Sequence, residues 1–404
     1  MLKTGDFTDE EWESIFNELT KNPKLYGLPV RTDGSALIGS FNIRKLGNPD
    51  NRNANTWKFL VTVIKCFDIL AIQEALDDIS GLHRLLADLN GEYKMMCSDK
   101  TGTYPGDLGV GERLVFFYRT ETVELGEVVS DITYDRSKVT DILMNHLDEI
   151  VEEKEKYDQK MADYNAGRRK TKPSFSVPTF LSFIRSPFCA SFTIKGKDDA
   201  SHKPYQFMAI NAHLIFGTSS DRWREFEALV NWIRDRVVQQ DKMYYPNYVL
   251  LGDLNLDYDN PGRDFAKMES LMKGIDVGTP DEIHVNFPFL DVHPNESEHF
   301  TSNVKLSQRY DQIGLFFRDT DGECVGFPTH AENKYMGKDD NGPDYGVLNF
   351  TELFAKAVEG MSFKDMSKVQ GTAFVRRFEH EVSDHMPIWL RLSLTPTSTS
   401  VGAE

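Results

Sequence analysis

The chain is 404 residues long, 40% hydrophobic and 12% aromatic, which excludes a disordered or low-complexity polymer and supplies a sizeable core. Its 46 Lys and Arg against 63 Asp and Glu give a formal net charge of −17, so it cannot coat a long polyanion by bulk electrostatics, and any nucleic-acid contact has to be local. No apolar run approaches the ~18 residues of a membrane-crossing helix, and Met1-Leu2-Lys3-Thr4-Gly5-Asp6 lacks the apolar stretch of an export signal, so a cytoplasmic location is expected.

In chain order, Thr8-Asp9-Glu10-Glu11 offers an N-cap and an acidic first turn to a helix with Trp12, Ile15, Phe16 and Leu19 on one face. Residues 1–30 are predicted as an N-terminal helical extension and 31–394 as one domain, because no Gly/Ser-rich or Pro-rich linker divides them. Short apolar runs at 36–41, 67–72, 114–118, 207–210, 248–251, 312–317 and 387–392 read as buried strands. Helix-patterned stretches at 55–65, 79–89 and 222–238 lie between them, so the class is mixed α/β with strands sandwiched between helices. Within 222–238, the series Trp223, Phe226, Leu229, Val230 and Ile233 is expected to be core packing. Residues 137–173 stand apart: Val139, Ile142, Leu143, Leu147, Ile150 and Val151 recur at helical spacing and then give way to Glu152-Glu153-Lys154-Glu155-Lys156, predicting a projecting helical insertion. Residues 395–404, rich in Ser, Thr, Pro and Gly, read as a disordered tail. Cys66, Cys97, Cys189 and Cys324 are scattered without a CxxC pair, so neither a disulfide framework nor a zinc site is expected.

The chemistry sits at the strand ends. The runs terminate in Asn42, Glu74, His213, Asp253 with Asn255, and Asp384 with His385. Carboxylate, amide and imidazole groups at the ends of apolar strands build a polar site, because they need water, a metal or a ligand beside them. Oxygen donors without thiolates suit a hard cation, magnesium foremost, with manganese or calcium able to substitute or assist. Two histidines add groups that move protons or donate to an anionic oxygen near neutral pH. Together these describe metal-assisted phosphoester hydrolysis. Asp257 and Asp259 read as solvated turn carboxylates, and His293 and His299 as part of an irregular surface loop.

The motifs Ser40-Phe41-Asn42-Ile43-Arg44, Ile72-Gln73-Glu74, Asn211-Ala212-His213-Leu214, Gly252-Asp253-Leu254-Asn255, Tyr310-Asp311-Gln312-Ile313 and Ser383-Asp384-His385-Met386-Pro387 follow one another in that order. With them the chain resembles the endonuclease/exonuclease/phosphatase superfamily, and within it the deoxyribonuclease I-like branch. The resemblance implies a four-layered sandwich of two mixed β-sheets flanked by helices, with the active site at one edge of the sheets. It also implies that Glu74, helped by Asn42 and Asp384, holds the metal, while Asp253 and Asn255 orient the attacking water and the phosphate. His213 and His385 would grip the phosphate or act as acid and base, with Glu112 orienting the first and Asp311 the second. Arg185, in Phe183-Ile184-Arg185-Ser186-Pro187, would meet the scissile phosphate as a planar fork.

Two positions depart from the branch. Leu76 stands where the branch has a groove-reading arginine, and Gly106-Asp107-Leu108-Gly109-Val110 stands where it has an Arg and a Tyr. Without that wedge, catalysis transfers more readily than recognition of duplex DNA. The leading expectation is an intracellular magnesium-dependent nuclease, an endonuclease or other phosphodiesterase acting on DNA. The alternatives are a phosphatase or phosphodiesterase for a small or lipid-linked phosphate and, more remotely, a catalytically silent interaction module. Arg168, Arg169, Lys170 and Lys172 form the densest positive cluster in this acidic chain and are candidates for the local nucleic-acid contact, with protein docking through the insertion as the competing reading.

Overall fold

The apolar runs become strands buried on both faces, which is why they read as near-continuous rather than alternating hydrophobic segments. In the computed structural model, the residues described are 7–100, 111–196, 202–217, 219–238, 247–256, 270–271, 283–290, 301–318 and 344–394. One six-stranded sheet runs in the order β11 (Tyr345–Val347), β12 (Ile388–Ser393), β1 (Ser35–Leu46), β2 (Ile69–Ala75), β4 (Arg113–Arg119) and β3 (Tyr93–Cys97). The other runs β5 (Val123–Asp131), β6 (Phe188–Ile194), β7 (Tyr205–His213), β8 (Tyr248–Asp253), β10 (Asp311–Arg318) and β9 (Ile283–Asn286). Both sheets are mixed: β1 runs parallel to β2 and β7 parallel to β8, while the other pairings are antiparallel.

Each parallel pair needs a crossover, and helices supply it. Helix α2 (Ala54–Ile64) joins β1 to β2, and α6 (Ser219–Val238) joins β7 to β8. Along β7 and β8 the side chains alternate between two cores. Phe207, Ala209, Val249 and Leu251 enter the core between the sheets, whereas Met208, Ile210, Tyr248 and Leu250 pack under α6 with Phe226, Leu229, Val230 and Ile233. The result is four layers, helix–sheet–sheet–helix. Helix α1 (Asp9–Lys21), closed by a Thr8–Glu11 capping box, packs Trp12 within 6.0 Å of Phe59 and 5.8 Å of Phe354, so the N-terminal extension is part of an outer layer.

Helix α3 (Ser80–Asp88) covers the first sheet near β3, and the insertion forms α4 (Arg136–Asn145) and α5 (Leu147–Asn165). Neither α4 nor α5 buries any residue, and Leu143, Leu147 and Val151 are exposed. The segment returning from the insertion is fastened to α6: the Ser176 hydroxyl donates to Asp221 at 2.8 Å and Arg224 donates to the Val177 carbonyl at 2.9 Å. Residues 395–404, with the tail expected there, lie outside the described residues. No helix among the described residues is long and apolar enough to cross a membrane.

Candidate active site

Period-2 geometry decides which strand-end residues meet. Because Ala209, Leu251 and Ile313 point between the sheets, His213, Asp253 and Asp311, an even number of residues away on the same strands, point there too, at the open edge. The β7–β8 register sets His213 opposite Asp253, and the β8–β10 register sets Asp253 opposite Asp311. Asn42 arrives from the first sheet and donates to Asp253 Oδ2 at 2.9 Å, closing the gap between the sheets. Beneath it, Gln73 donates to Asn211 Oδ1 at 2.7 Å, and Asn211 donates to the carbonyls of Ile72 and Val115 at 3.1 and 3.0 Å, so a buried polar bridge fixes the separation of the sheets.

The backbone is forced at this edge. The β1–β2 register shifts between Asn42 and Leu46, the β2–β4 register between Ile72 and Ala75, and Lys45, Glu74 and Asn255 take left-handed φ values of 48°, 60° and 48°. Left-handed backbone at non-glycine residues is costly and survives where surrounding contacts over-determine it, a condition that clusters at functional sites. At Glu74 those contacts are two hydrogen bonds to its carboxylate, from Asn42 Nδ2 at 3.0 Å and from the Lys45 amide at 3.1 Å.

Each imidazole has a carboxylate near its Nδ1. His213 Nδ1 lies 3.0 Å from Glu112 Oε2, and His385 Nδ1 lies 2.8 Å from Asp311 Oδ2. The opposite nitrogens converge on one carboxylate, His213 Nε2 at 3.6 Å and His385 Nε2 at 3.5 Å from Asp253 Oδ2. Asp253, Asp311 and His385 thereby bring ligand-type atoms within 4.8 Å of one another. Burial opposes a charge on His385, but Asp311 and Asp253 outweigh it and hold the imidazole well above its ordinary pKa. Burial likewise opposes ionisation of Asp253, and His385, His213 and the Asn42 amide overcome it, so this carboxyl is held below its usual range. Glu112 is pushed up by burial and pulled down further by His213 and Arg185, with a net lowering. Asn255 completes the group, its amide N–H on Asp253 Oδ1 at 3.0 Å and its side chain on the Leu214 carbonyl at 2.9 Å.

The oxygens of Asn42, Glu74 and Asp384 fit a hard cation. Asn42 Oδ1 and Asp384 Oδ1 are both buried without a hydrogen-bond donor, an arrangement that costs free energy unless something positive occupies the space before them. Asp253, Asp311 and His385 form a second candidate group, in which Asp311 Oδ1 is likewise buried without a donor, but there burial pushes the Asp311 carboxyl up and the carboxylates push His385 toward the imidazolium, which has no lone pair to offer. Arg44 pairs with Asp384 Oδ2 at 3.0 Å, and Ser383 ties the segment to β1 by donating to the Asn42 carbonyl at 2.6 Å.

Arg185 is brought to the site, but its fork faces Glu112: Nε donates at 2.6 Å to one oxygen and Nη2 at 3.3 Å to the other, and Nη1 lies on the carbonyls of His213 and Leu214. In this structure the guanidinium braces Glu112 and, through it, His213. A buried carboxylate next to the arginine takes its donors, and the residue also lines the cleft. Arg168, Arg169, Lys170 and Lys172 are exposed and do not line the cleft; Arg168 pairs with Asp163 at 2.7 Å, and Arg169 donates to the Thr171 carbonyl at 2.8 Å. Asp257, Asp259, His293, His299 and the segment 106–110 lie outside the described residues.

Sequence reading missed Glu225. This buried carboxylate of α6 accepts from the Ile184 amide at 2.6 Å and the Ile215 amide at 2.7 Å, holding together the segment that leads into Arg185 and the one that leaves His213. Its only signal in the sequence is a charge beside the apolar face of a helix.

No family model matches the chain. It is 30% identical over 101 residues to deoxyribonuclease-1 of Gallus gallus, a match covering 25% of this chain and 36% of that protein. It is 32% identical over 103 residues to deoxyribonuclease-1 of Oryctolagus cuniculus, covering 24% and 34%. The chain thus spans about a third of the length of the curated relatives it matches. Among solved structures, an endonuclease/exonuclease/phosphatase family protein from Bacteroides thetaiotaomicron aligns with 89% of this chain and 97% of its own, at 15% identity and a TM-score of 0.43.

Proposed function

We propose that the chain is a metal-dependent phosphoester hydrolase of the endonuclease/exonuclease/phosphatase type, and that its substrate is a nucleic-acid phosphodiester, DNA foremost. The observation that carries this reading is the pair of carboxylate-mounted imidazoles converging on Asp253, set beside two buried oxygens that lack a donor. The partial sequence similarity to deoxyribonuclease-1 supports DNA as the first substrate to test.

Glu74, Asn42 and Asp384 would hold magnesium, which supplies Lewis-acid polarisation of a phosphoryl oxygen. Asp253, ionised and fixed by Asn42 and Asn255, accepts a hydrogen bond from the attacking water and sets its line of approach. His385, held protonated by Asp311 and Asp253, donates to the phosphoryl oxygens as negative charge develops, and His213, mounted on Glu112, faces them from the other side. Arg185 keeps Glu112 ionised and in place.

Purified protein incubated with supercoiled plasmid, single-stranded DNA, RNA and soluble phosphoesters, with magnesium or with chelator, tests the reading. Magnesium-dependent nicking of plasmid is expected. Absence of phosphodiester cleavage with any metal rejects the nuclease, and turnover confined to soluble phosphomonoesters replaces it with a small-molecule phosphatase.

A further inference from the structure

We infer that Phe216 is a stacking platform for a nucleobase next to the scissile phosphate; this rests on the nuclease reading and names the part of the substrate the enzyme grips. Phe216 follows His213 by three residues and lines the same cleft as Glu74, His213, Asp253 and His385, yet it is 68% exposed. Scattered exposed apolar residues need no explanation, but this one is braced. The Ile215 amide before it is pinned by Glu225 at 2.7 Å. The Arg222 guanidinium sits 5.8 Å from the ring centroid, and Tyr310 meets the ring edge-on at 6.4 Å and 84°. Tyr310 in turn lies 5.8 Å from the His385 ring, so a chain of rings leads from the catalytic imidazole to the mouth of the cleft.

An aromatic ring flanked by Arg222 and Tyr310 yet 68% exposed still offers open ring surface where a substrate enters. The group that fits it is planar and a few bonds from the phosphate, and in a polynucleotide that group is a base. Stacking is indifferent to base identity, so such a platform adds affinity without sequence preference.

The test compares the parent with Phe216→Ala and Phe216→Trp in two arms. In chelator, where nothing is cleaved, binding of a short single strand carrying 2-aminopurine should quench its emission with the parent and with Phe216→Trp, and fail to do so with Phe216→Ala. In magnesium, the ratio of kcat/KM on an oligonucleotide to that on methyl p-nitrophenyl phosphate should fall about tenfold in Phe216→Ala, within the range that stacking one base supplies. Removing the base beside the cleaved phosphate should cost the parent the same factor and cost Phe216→Ala nothing more. An unchanged ratio, or equal quenching by parent and alanine variant, overturns the platform. If the parent cleaves no phosphodiester at all, the nuclease reading fails and the quenching arm alone decides this one.

Discussion

Replacing Asp311 by Asn changes one charge and almost no volume. The carboxylate accepts from His385 Nδ1 at 2.8 Å and from the Ser302 hydroxyl at 2.6 Å, and the Ser302 hydroxyl also accepts from the Asp311 amide, so an asparagine keeps the local frame. What it loses is the nearer of the two negative charges that hold the buried imidazole up. Removing an opposite charge at contact weakens the preference for the imidazolium, so His385 should titrate at lower pH in the variant. The sign follows from linkage. A histidine raised above its unfolded value of about 6.5 contributes stability that is full below that pH and is lost as pH rises through the folded value, so the variant loses its share of that window from the alkaline side. Activity that needs protonated His385 should lose its alkaline limb at correspondingly lower pH. The direct assay is an NMR titration of the His385 ring in metal-free protein, with kcat/KM against pH on a soluble phosphodiester as its functional counterpart. If His385 titrates at the same pH in parent and variant, Asp311 does not set its protonation and the dyad is refuted.

Glu74→Gln and Asp253→Asn should each lower kcat by about 10²-fold or more with the fold retained, judged by circular dichroism at saturating magnesium. Magnesium should raise the Tm of the parent over that in chelator, and full activity in either variant or an unmoved Tm would remove the metal-site assignment. Glu225→Gln replaces one of two acceptor oxygens by an N–H donor facing a backbone amide and should destabilise the protein by about 2 kcal/mol in urea unfolding while also lowering kcat; an unchanged midpoint would mean that α6 does not hold the two segments. Replacing Arg168, Arg169, Lys170 and Lys172 together by Ser should raise KM on polynucleotide and flatten its salt dependence, and equal salt slopes for variant and parent would exclude these cations from substrate binding.

The strands that carry the site were legible because each is buried on both faces and ends in a polar residue that turn chemistry does not require: β1 into Asn42, β2 into Glu74, β7 into His213, β8 into Asp253. The strands that escaped notice lack such runs. Edge strand β5 is mostly exposed and carries Glu124, Glu127 and Asp131, while β6 breaks its apolar pattern with Ser191 and Thr193. Site residues were legible as types and places, but not as pairings. That Arg185 would lie on Glu112 depends on two segments 73 positions apart meeting below the cleft, and Glu225 gives no sign of its two amides because its partners belong to other segments. Periodicity reports the face a residue presents and is silent about what is brought to that face.

The pairing of β1 with β12, Ser35 opposite Ser393, has a consequence for how the protein is made. The first strand of the sandwich waits for the last, and the entire second sheet is synthesised in between. At ribosomal rates of about 5–20 residues per second, roughly 20–70 s separate the emergence of Asn42 from that of His385. Throughout that interval one flank of β1 lacks its partner, and Asp253, once made, lacks one of its two imidazoles until the interval ends. A chain that stops short of β12 therefore carries most of the candidate site's side chains without their geometry, so the proposed activity should appear only once that strand has closed the sheet.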